Sequence, residues 1–453
     1  MIRIILDESS IQNRKLKLHP GVFYRAYNDL VVLYHTGKQE VFTFSDTAAD
    51  IFDCFQELCF PDDAIELLKK TYEIDDEDDF EQSIRSFVDV GIDKGILISE
   101  YKQVDRTNDL EKEVSKSFSD SKQLHTVTLE LTYKCNERCR HCYIVDDDRK
   151  ELTTEQIKSV LDELSNMNVF CIVFTGGEVF TRKDAFDILE YAYSKRFVID
   201  IFTNGTLLDG NDYLRLKAVW PRCVHFSVYS HIAEKHDAIT QVKGSFAKTM
   251  KSIQACTLIG IPVNIKATIF SETMDDVQGL VQLSESLGAS IELGTNITPQ
   301  KDGDLSPMTM KVSGEENDRV VFDTIKNLIK TIGPNPKDET RSEKLCGAGD
   351  KSISINPYGE AYPCIMLPIC IGDISEQTMK QIWEESDALN QWRETNLRSL
   401  KKGCADCDLI DGCVFCPGVA MMRTGDALTM YEEACYDTRI VTGRDIRKGG
   451  ENA

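Results

Sequence analysis

Three cysteines stand close together at Cys135, Cys139 and Cys142, with the spacing C-x3-C-x2-C. Cysteine thiolates are the usual protein ligands of iron–sulfur clusters. A loop with this spacing is able to bind three irons of a 4Fe-4S cubane, which leaves the fourth iron open to a small chelating molecule. A zinc site is the alternative interpretation, although zinc ligands usually come as two separated pairs.

A second and denser group of cysteines lies in the last quarter of the chain. Cys346 is followed by twelve residues, then Gly359, four further residues and Cys364. The run Cys404-x2-Cys407-x5-Cys413-x2-Cys416 comes next, and Cys435 ends the group. Such dense cysteines in a reducing compartment indicate clusters rather than disulfides. A zinc ribbon formed by the run of four is the alternative.

The elements that must position the first cysteine group are predicted to be strands alternating with helices. Thr126–Thr132 alternates apolar and polar residues as a strand does, and it leads directly into the cysteine loop. Further strands are predicted at Val169–Thr175, Val198–Thr203, Val224–Tyr229 and Val263–Ile269, and helices at Thr154–Asn166, Arg182–Lys195 and Phe246–Leu258. This alternation is typical of β/α units with parallel strands, so the predicted fold class is α/β.

The cysteine loop at the end of a strand and the Gly176-Gly177-Glu178 segment after the next strand resemble the motifs of the radical SAM enzymes. The resemblance implies a partial (β/α)6 barrel of the TIM type over residues 123–310, with its active site at the carboxyl ends of the strands. It also implies that S-adenosylmethionine (SAM) chelates the open iron through its amino and carboxylate groups. An electron from the cluster then cleaves SAM to a 5′-deoxyadenosyl radical.

The same resemblance implies the residues that contact SAM, and it assigns no catalytic residue. His141 takes the aromatic position next to the third cysteine, where the family contacts adenine, and the Gly-Gly-Glu segment meets the methionine amino group. Polar residues at later strand ends are the further expected contacts, at Asn204, Ser227 and Lys266. Val179 stands where the family more usually has proline, which alters the stiffness of the turn and removes no ligand.

The second cysteine group resembles the SPASM domain, which holds two auxiliary 4Fe-4S clusters in peptide-modifying radical SAM enzymes, so three clusters are expected. The domain is predicted over residues 346–453. The family usually has three residues between the fifth and sixth cysteines, and this chain has two, Val414 and Phe415. By order, the resemblance implies a first auxiliary cluster on Cys346, Cys364 and Cys416, and a second on Cys404, Cys407, Cys413 and Cys435.

The first auxiliary cluster thus has three predicted ligands. Ser352 occupies the place of a further ligand in sulfatase maturases, and Cys370 is the nearby substitute. We expect an open iron, which could bind and deprotonate a substrate cysteine, with ligation by Cys370 as the alternative. The remaining cysteines at Cys54, Cys59, Cys171, Cys223 and Cys256 are expected to be small buried hydrophobic residues.

Residues 1–100 carry no cluster motif and are predicted to form three short strands followed by three helices. The strands are expected at Phe23–Tyr27, Leu30–Tyr34 and Glu40–Phe44, and the helices at about Ala48–Cys59, capped by Ser45 or Asp46, Asp63–Thr71 and Phe80–Val90. This order resembles a winged helix-turn-helix and, within that group, the RiPP recognition element. The resemblance implies leader-peptide binding by β-augmentation at the edge of the third strand. The acidic run 75–79 indicates that nucleic acid is not the partner.

Composition and charge limit the partners and the location that can be expected. The net charge of −23 disfavours nucleic acid and anionic membranes as partners. No long apolar span or signal peptide is found, so a cytoplasmic protein is expected. A polar linker is predicted at 101–122 and a bridging region at 311–345.

The resemblance covers nearly the whole chain and implies a radical SAM maturase of a ribosomally made precursor peptide. Segments 226–230 and 296–304 look like those of sactipeptide and ranthipeptide synthases. In those enzymes a cysteine sulfur of the precursor is joined to a carbon, with electrons from a donor such as flavodoxin or ferredoxin. Alternatives are a carbon–carbon crosslinking or epimerising maturase and a sulfatase-maturase-like enzyme. A leader-binding or electron-transfer protein without catalysis is disfavoured by the intact Cys135, Cys139, Cys142 and Glu178.

Overall fold

The computed structural model describes residues 15–27, 30–72, 74, 77–98, 123–145, 149–312, 324, 344–401, 403–404 and 407–442. The chain divides into two compact units, Met1–Ser121 with Arg196–Val198, and Lys122–Lys195 with Ile199–Ala453. The predicted Asn28-Asp29 turn, the linker at 101–122, the first two residues of the acidic run and most of the bridging region lie outside the described residues. No helix in the described ranges has the length and apolar character needed to cross a membrane.

The first unit contains an antiparallel sheet of three strands and a separate antiparallel pair of strands. Its strands are β1 (Lys17–Leu18), β2 (Val22–Tyr27), β3 (Leu30–His35), β4 (Glu40–Ser45) and β5 (Leu97–Ile98). The order is β2-β3-β4, with β1 and β5 paired separately. The central strand β3 is buried from Val31 to His35. Strand β4 is an edge, because among the described residues only β3 pairs with it.

Three helices follow the sheet, as the sequence predicts. They are α1 (Ala48–Cys54), α2 (Pro61–Leu68) and α3 (Glu77–Asp93). Helix α1 was predicted to reach Cys59 and is shorter, because the backbone of Cys59 pairs with that of Leu16 through hydrogen bonds of 2.8 and 2.9 Å. The predicted cap at Ser45 or Asp46 is also wrong, since Thr47 takes the N-cap position and no side chain caps the helix.

The second unit is built on a nine-stranded sheet, of which six strands belong to the predicted barrel. These are β6 (Thr126–Glu130), β7 (Cys171–Thr175), β8 (Val198–Thr203), β9 (Cys223–Ser227), β10 (Val263–Thr268) and β11 (Ser290–Gly294). The pairs β6–β7, β8–β9, β9–β10 and β10–β11 are parallel. Strand β8 is buried over most of its length, and its apolar residues Ile199 and Ile201 lie on one face of the sheet.

Helices lie between these strands, so the predicted β/α alternation is present. They are α4 (Thr154–Asn166), α5 (Ala185–Ser194), α6 (Asp212–Ala218), α7 (Ala233–Thr240), α8 (Ser245–Leu258) and α9 (Val277–Ser286). Helix α4 has the predicted bounds, and the side chains of Thr153 and Gln156 cap its start reciprocally. Helix α5 was predicted from Arg182 and begins later, because Val179–Thr181 forms a 3-10 turn and Arg182 is extended.

The cysteine-rich region contributes strands to the same sheet. Strand β12 (Ser352–Ile355) pairs in parallel with β6, and β13 (Glu360–Tyr362) and β14 (Gly372–Asp373) extend the sheet in antiparallel fashion. Four helices follow, namely α10 (Met379–Glu385), α11 (Asp387–Arg393), α12 (Pro417–Thr424) and α13 (Glu432–Thr442). The region is therefore joined to the barrel by backbone pairing, which the sequence did not indicate.

Candidate functional site

The cysteine loop begins directly after β6 and is held by backbone hydrogen bonds. The amide of Cys142 donates to the carbonyl of Cys139 at 3.1 Å. The amides of Arg138 and Arg140 donate to the carbonyls of Thr240 and Ile239, each at 3.0 Å, at the end of α7. The three thiols are therefore presented by a loop that is fixed on two sides.

The three thiols of this loop share one partly buried environment. Burial raises the pKa of Cys135 to about 11, with a contribution from the charge of Cys142. Burial likewise raises the pKa of Cys139 well above its usual value, and the charges of Glu137, Cys142 and Cys135 act in the same direction. Iron would reverse this preference, because a coordinating thiol is deprotonated by the metal. Three thiols on one fixed loop, at this spacing, suit a cluster with one open iron.

The two glycines of the Gly-Gly-Glu segment are required by the cysteine loop itself. A Cβ atom on Gly176 would lie 2.2 Å from the carbonyl oxygen of Thr132, and one on Gly177 would lie 2.4 Å from that of Lys134. Gly176 also has a φ of 135°, which disfavours other residues. The sequence predicted close approach of these glycines to SAM, and the structure shows close approach to the loop that carries the cysteines.

Glu178 is buried and connects this segment to the end of β8. Its carboxylate accepts hydrogen bonds from the Thr203 hydroxyl at 2.7 Å, the Asn204 amide at 2.7 Å and the Phe180 amide at 3.1 Å. Burial raises its pKa and these three donors oppose the increase. The carboxylate is thus held in place beside the cysteine loop, where a contact to the amino group of SAM stays a prediction.

The three further candidates for SAM contacts, Asn204, Ser227 and Lys266, have different surroundings. The Asn204 side chain lies beside the cysteine loop, since its amide donates to Asn136 Oδ1 at 3.0 Å and lies 4.0 Å from Cys135 Sγ. Ser227 and Lys266 are neighbours in the register of β9 and β10. The Lys266 ammonium pairs with Glu292. The structure therefore places Asn204 beside the cysteine loop, and Lys266 forms an ion pair with a residue of β11.

His141 lies in a group of aromatic rings. Its centroid is 4.6 Å from that of Tyr229 and 4.9 Å from that of Phe270. Burial lowers its pKa to about 4, so the ring is neutral at ordinary pH. Its Nδ1 atom is buried and has no hydrogen-bond partner among the described residues. A neutral imidazole in an aromatic setting suits the predicted contact with adenine.

The cysteines predicted to bind the first auxiliary cluster come together although they are distant in sequence. Burial raises the pKa of Cys346, and the charges of Cys364 and Cys416 add to the increase. The amide of Cys416 donates to the Tyr431 hydroxyl at 3.2 Å, which fixes this cysteine at the start of α12. The structure therefore brings together the three cysteines assigned to this cluster by the resemblance.

The four cysteines predicted for the second auxiliary cluster form a separate group. Burial raises the pKa of Cys404 to about 11, and the charges of Cys435, Cys413 and Cys407 contribute. The Thr438 hydroxyl, on the same helix as Cys435, lies 3.5 Å from Cys413 Sγ. Across the described ranges, no three or more His, Cys, Asp or Glu side chains are arranged to hold a single metal ion.

Cys370 differs from the cysteines of both groups because it is exposed. Its thiol donates to the carbonyl of Gly372 at 3.5 Å. Ser352, at the place of a further ligand in sulfatase maturases, begins β12. Both an open iron and closure by Cys370 stay predictions.

Sequence reasoning missed two acidic side chains near the cysteine loop. Glu137, inside the loop, is 4% exposed, and burial raises its pKa to about 7. Glu130, the last residue of β6, is 3% exposed and pairs with Lys301. The available signal was a carboxylate directly after Leu129, at the end of the strand that leads into the cysteine loop. Lys301, which pairs with Glu130, is too far along the chain to be identified from a local sequence pattern.

Comparisons with known proteins agree with this geometry. The radical SAM superfamily model matches residues 129–284, and the SPASM model, described as an iron–sulfur cluster-binding domain, matches residues 346–408. Domains of these two kinds bind iron–sulfur clusters and SAM. The matches, with the parallel sheet, confirm the predicted fold class and these two cofactors.

Similar proteins include the antilisterial bacteriocin subtilosin biosynthesis protein AlbA of Bacillus subtilis, which is 31% identical over 281 residues. That match covers 59% of this chain and 61% of AlbA. An AdoMet-dependent heme synthase of Methanosarcina barkeri is 26% identical over 331 residues, covering 67% of this chain and 93% of the synthase. The structure of Streptococcus suis SuiB bound to precursor peptide SuiA has a TM-score of 0.59 at 13% identity, covering 93% and 99% of the two chains. At that identity the likeness to SuiB shows the fold.

Proposed function

Because this chain belongs to the radical SAM superfamily and carries a SPASM domain, we propose that it is a maturase of a ribosomally made precursor peptide. The reaction proposed is the joining of a cysteine sulfur of the precursor to a carbon of the same peptide, which forms a thioether. AlbA, a bacteriocin biosynthesis protein, and SuiB, which binds a precursor peptide, support a peptide substrate. The heme synthase shows that family membership alone leaves the substrate open.

The cysteine loop would hold the first cluster, and His141, Gly176, Gly177 and Glu178 would hold SAM, with Asn204, Ser227 and Lys266 as further contacts. When bound there, SAM and the reduced cluster supply a carbon-centred radical able to remove a hydrogen atom from the peptide. The chain itself supplies a fixed, partly buried loop and buried hydrogen-bonding groups. These orient the cofactor and limit access of water.

The observation that carries the thioether proposal is the first auxiliary group. It contains Cys346, Cys364 and Cys416. Burial raises the pKa of the Cys346 and Cys364 thiols, and the charge of Cys416 adds to both increases, which indicates that the three share one environment. A cluster on three protein thiolates would retain one iron for an external thiolate. A peptide cysteine bound there would be deprotonated and held near the barrel rim, which is what joining its sulfur to carbon requires. The other four cysteines would hold the second auxiliary cluster.

The N-terminal unit is proposed to bind the leader part of the precursor. Strand β4 is an unpaired edge in the described residues, and a peptide strand could add to it. Phe44 of β4 lies 5.3 Å from Phe87 of α3, measured between ring centroids, and both side chains are only partly buried. Such a surface suits the apolar residues of an extended peptide. The overall charge of −23 favours a leader with basic residues.

The test uses anaerobically reconstituted protein with SAM, a reduced flavodoxin or ferredoxin, and the precursor encoded by a neighbouring short reading frame. We expect 5′-deoxyadenosine to form and the precursor to lose two hydrogens for each bond. A precursor with serine in place of its cysteines should lose none. Loss of hydrogens from the serine precursor would contradict thioether formation.

A carbon–carbon crosslinking maturase is the second candidate, and Cys370 is the observation that favours it. This exposed cysteine lies a few residues after Cys364, and its ligation would close the auxiliary iron to a peptide thiolate. In that case the serine precursor would still be modified. The same mass measurement therefore separates the two candidates.

A further inference from the structure

A buried acid–base group lies at the carboxyl end of β6. The Lys301 ammonium donates to the two carboxylate oxygens of Glu130 at 3.1 and 3.0 Å. The Tyr133 hydroxyl accepts from Lys301 at 2.6 Å and donates to Glu130 Oε2 at 3.0 Å. Lys301 also lies over the rings of Tyr133 and Tyr143, 4.6 and 5.5 Å from their centroids. The four side chains form one closed network.

This network adjoins the cysteine loop and interacts electrostatically with a cysteine of the first auxiliary group. The backbone amide of Lys301 donates to the carbonyl of Tyr143 at 2.9 Å, next to Cys142. Burial raises the pKa of Cys142, and the Lys301 ammonium acts in the opposite direction. Burial also raises the pKa of Cys364, with contributions from the charges of Cys416 and Glu130. Glu130 and Lys301 are thus close to a cysteine of each group.

A contribution to stability alone does not explain why this charged pair is present at a buried position. Buried ion pairs contribute little net stability, because apolar side chains of similar volume usually do as well. The two partners also differ in exposure, with 1% of the Glu130 side chain and 25% of the Lys301 side chain exposed. The pair therefore has a closed carboxylate end and an accessible ammonium end, which is the arrangement of a proton relay.

We propose that the Glu130–Lys301 pair accepts the proton of the precursor cysteine whose sulfur enters the thioether. This inference rests on the proposed function. Forming the bond breaks one C–H and one S–H bond and makes one C–S bond. The hydrogen atom goes to the SAM-derived radical, one electron goes to an oxidised iron–sulfur cluster, and the thiol proton goes to the pair. Lys301 takes that proton as it passes one of its own to Glu130.

The proposal predicts how bond formation depends on pH. Burial raises the pKa of Glu130, and the charge and hydrogen bonds of Lys301 and Tyr133 lower it. The other titratable groups facing Glu130 are Tyr143 and Cys364. Only the ionised carboxylate accepts a proton, so thioether formation should increase with pH through the raised pKa of Glu130. Removing the Lys301 charge should shift this increase to higher pH.

The experiment compares the holoenzyme with Glu130→Gln, Lys301→Met and Lys301→Arg variants, using the precursor from the neighbouring reading frame. Asp200→Asn is the matched control, because Asp200, in the first half of β8, is also a buried carboxylate paired with a cation, Arg222. Thioether formed per 5′-deoxyadenosine is measured across pH. Iron content and deuterium transfer from a labelled precursor report on the cofactors and on hydrogen abstraction.

Glu130→Gln should lower the ratio of thioether to 5′-deoxyadenosine by about a hundredfold, as expected for loss of a positioned proton acceptor, with deuterium transfer retained. Lys301→Met should also lower the ratio and shift the remaining pH profile upward. Lys301→Arg keeps the charge but cannot release a proton, so it should lower the ratio and leave the profile in place, and Asp200→Asn should change neither. An unchanged ratio and profile in Glu130→Gln would overturn the relay and leave the proposed function standing, as would equal losses in Glu130→Gln and Asp200→Asn. A native enzyme that forms no thioether would overturn both.

Discussion

The amide nitrogen of Gly177 donates a hydrogen bond to the carbonyl oxygen of Thr132 at 2.7 Å. The amide of Glu178 donates to the carbonyl of Lys134 at 2.9 Å, one residue before the first cysteine of the loop. The Gly-Gly-Glu segment and the cysteine loop therefore share backbone hydrogen bonds. Displacing one segment should move the other, so the cluster site and the predicted SAM site are mechanically coupled.

Gly177→Ala should disturb both sites. The added Cβ would lie 2.4 Å from the Lys134 carbonyl, and backbone cannot yield as a flexible side chain does. We expect an unfolding free energy lower by about 1–3 kcal/mol and SAM affinity lower by about tenfold, which corresponds to 1.4 kcal/mol. Thermal unfolding and equilibrium SAM binding measure these effects. Gly294→Ala is the control, because its Cβ would meet nothing within 4 Å, and an equal loss there would contradict the coupling.

Replacing Cys135, Cys139 and Cys142 together by alanine should remove about four of about twelve irons, as expected for one of three 4Fe-4S clusters. SAM cleavage should be abolished, since the auxiliary groups lie elsewhere in the chain. Iron analysis and chromatographic detection of 5′-deoxyadenosine provide the measurements. Cys256→Ala, at a buried position in α8, should keep all the iron. Residual 5′-deoxyadenosine in the triple variant would show that the loop is not the SAM site.

The features predicted well from sequence are those with local causes. Helix α4 has the predicted bounds because a capping box at Thr153 and Gln156 sets its start. The cysteine loop follows its strand as predicted, since the alternation in Thr126–Thr132 marks the strand and the spacing marks the loop. The division of the other cysteines between two auxiliary clusters rests on the resemblance and stays a prediction.

The features missed depend on contacts between distant residues. Strand β12 pairs with β6 across more than two hundred residues, and no local pattern identifies such a partner. The Glu130–Lys301 pair is separated by 171 positions. The end of α1 depends on pairing of Cys59 with Leu16. In each case a contact between distant residues determines the structure, and the local sequence does not specify that contact.

Cys370 should remain reactive toward an alkylating reagent in the fully reconstituted protein, because we expect the first auxiliary iron to be open. The thiol is exposed. Mass mapping of the alkylated sites makes the measurement, with Cys256 as the protected reference, since burial raises its pKa to about 12. Protection of Cys370 that disappears when iron is removed would instead identify it as a cluster ligand.

Deleting residues 1–100 should separate peptide recognition from cofactor chemistry. The first unit is compact by itself and contains none of the cluster cysteines. We expect SAM cleavage and iron content to be retained and turnover of the full-length precursor to fall, because the leader would no longer tether the substrate. A precursor lacking its leader serves as the control and should be modified equally by both proteins. Unchanged precursor affinity in the truncated protein would rule out leader binding by this unit.

The most direct test of the central claim follows hydrogen and sulfur in one reaction. The native holoenzyme is given SAM, reductant and a precursor deuterated at its carbon positions, and both products are analysed by mass spectrometry. The account predicts deuterium in 5′-deoxyadenosine, loss of two hydrogens from the precursor for each bond, and a cysteine that no longer reacts with alkylating reagent. Deuterium transfer with every cysteine still alkylated would contradict thioether formation.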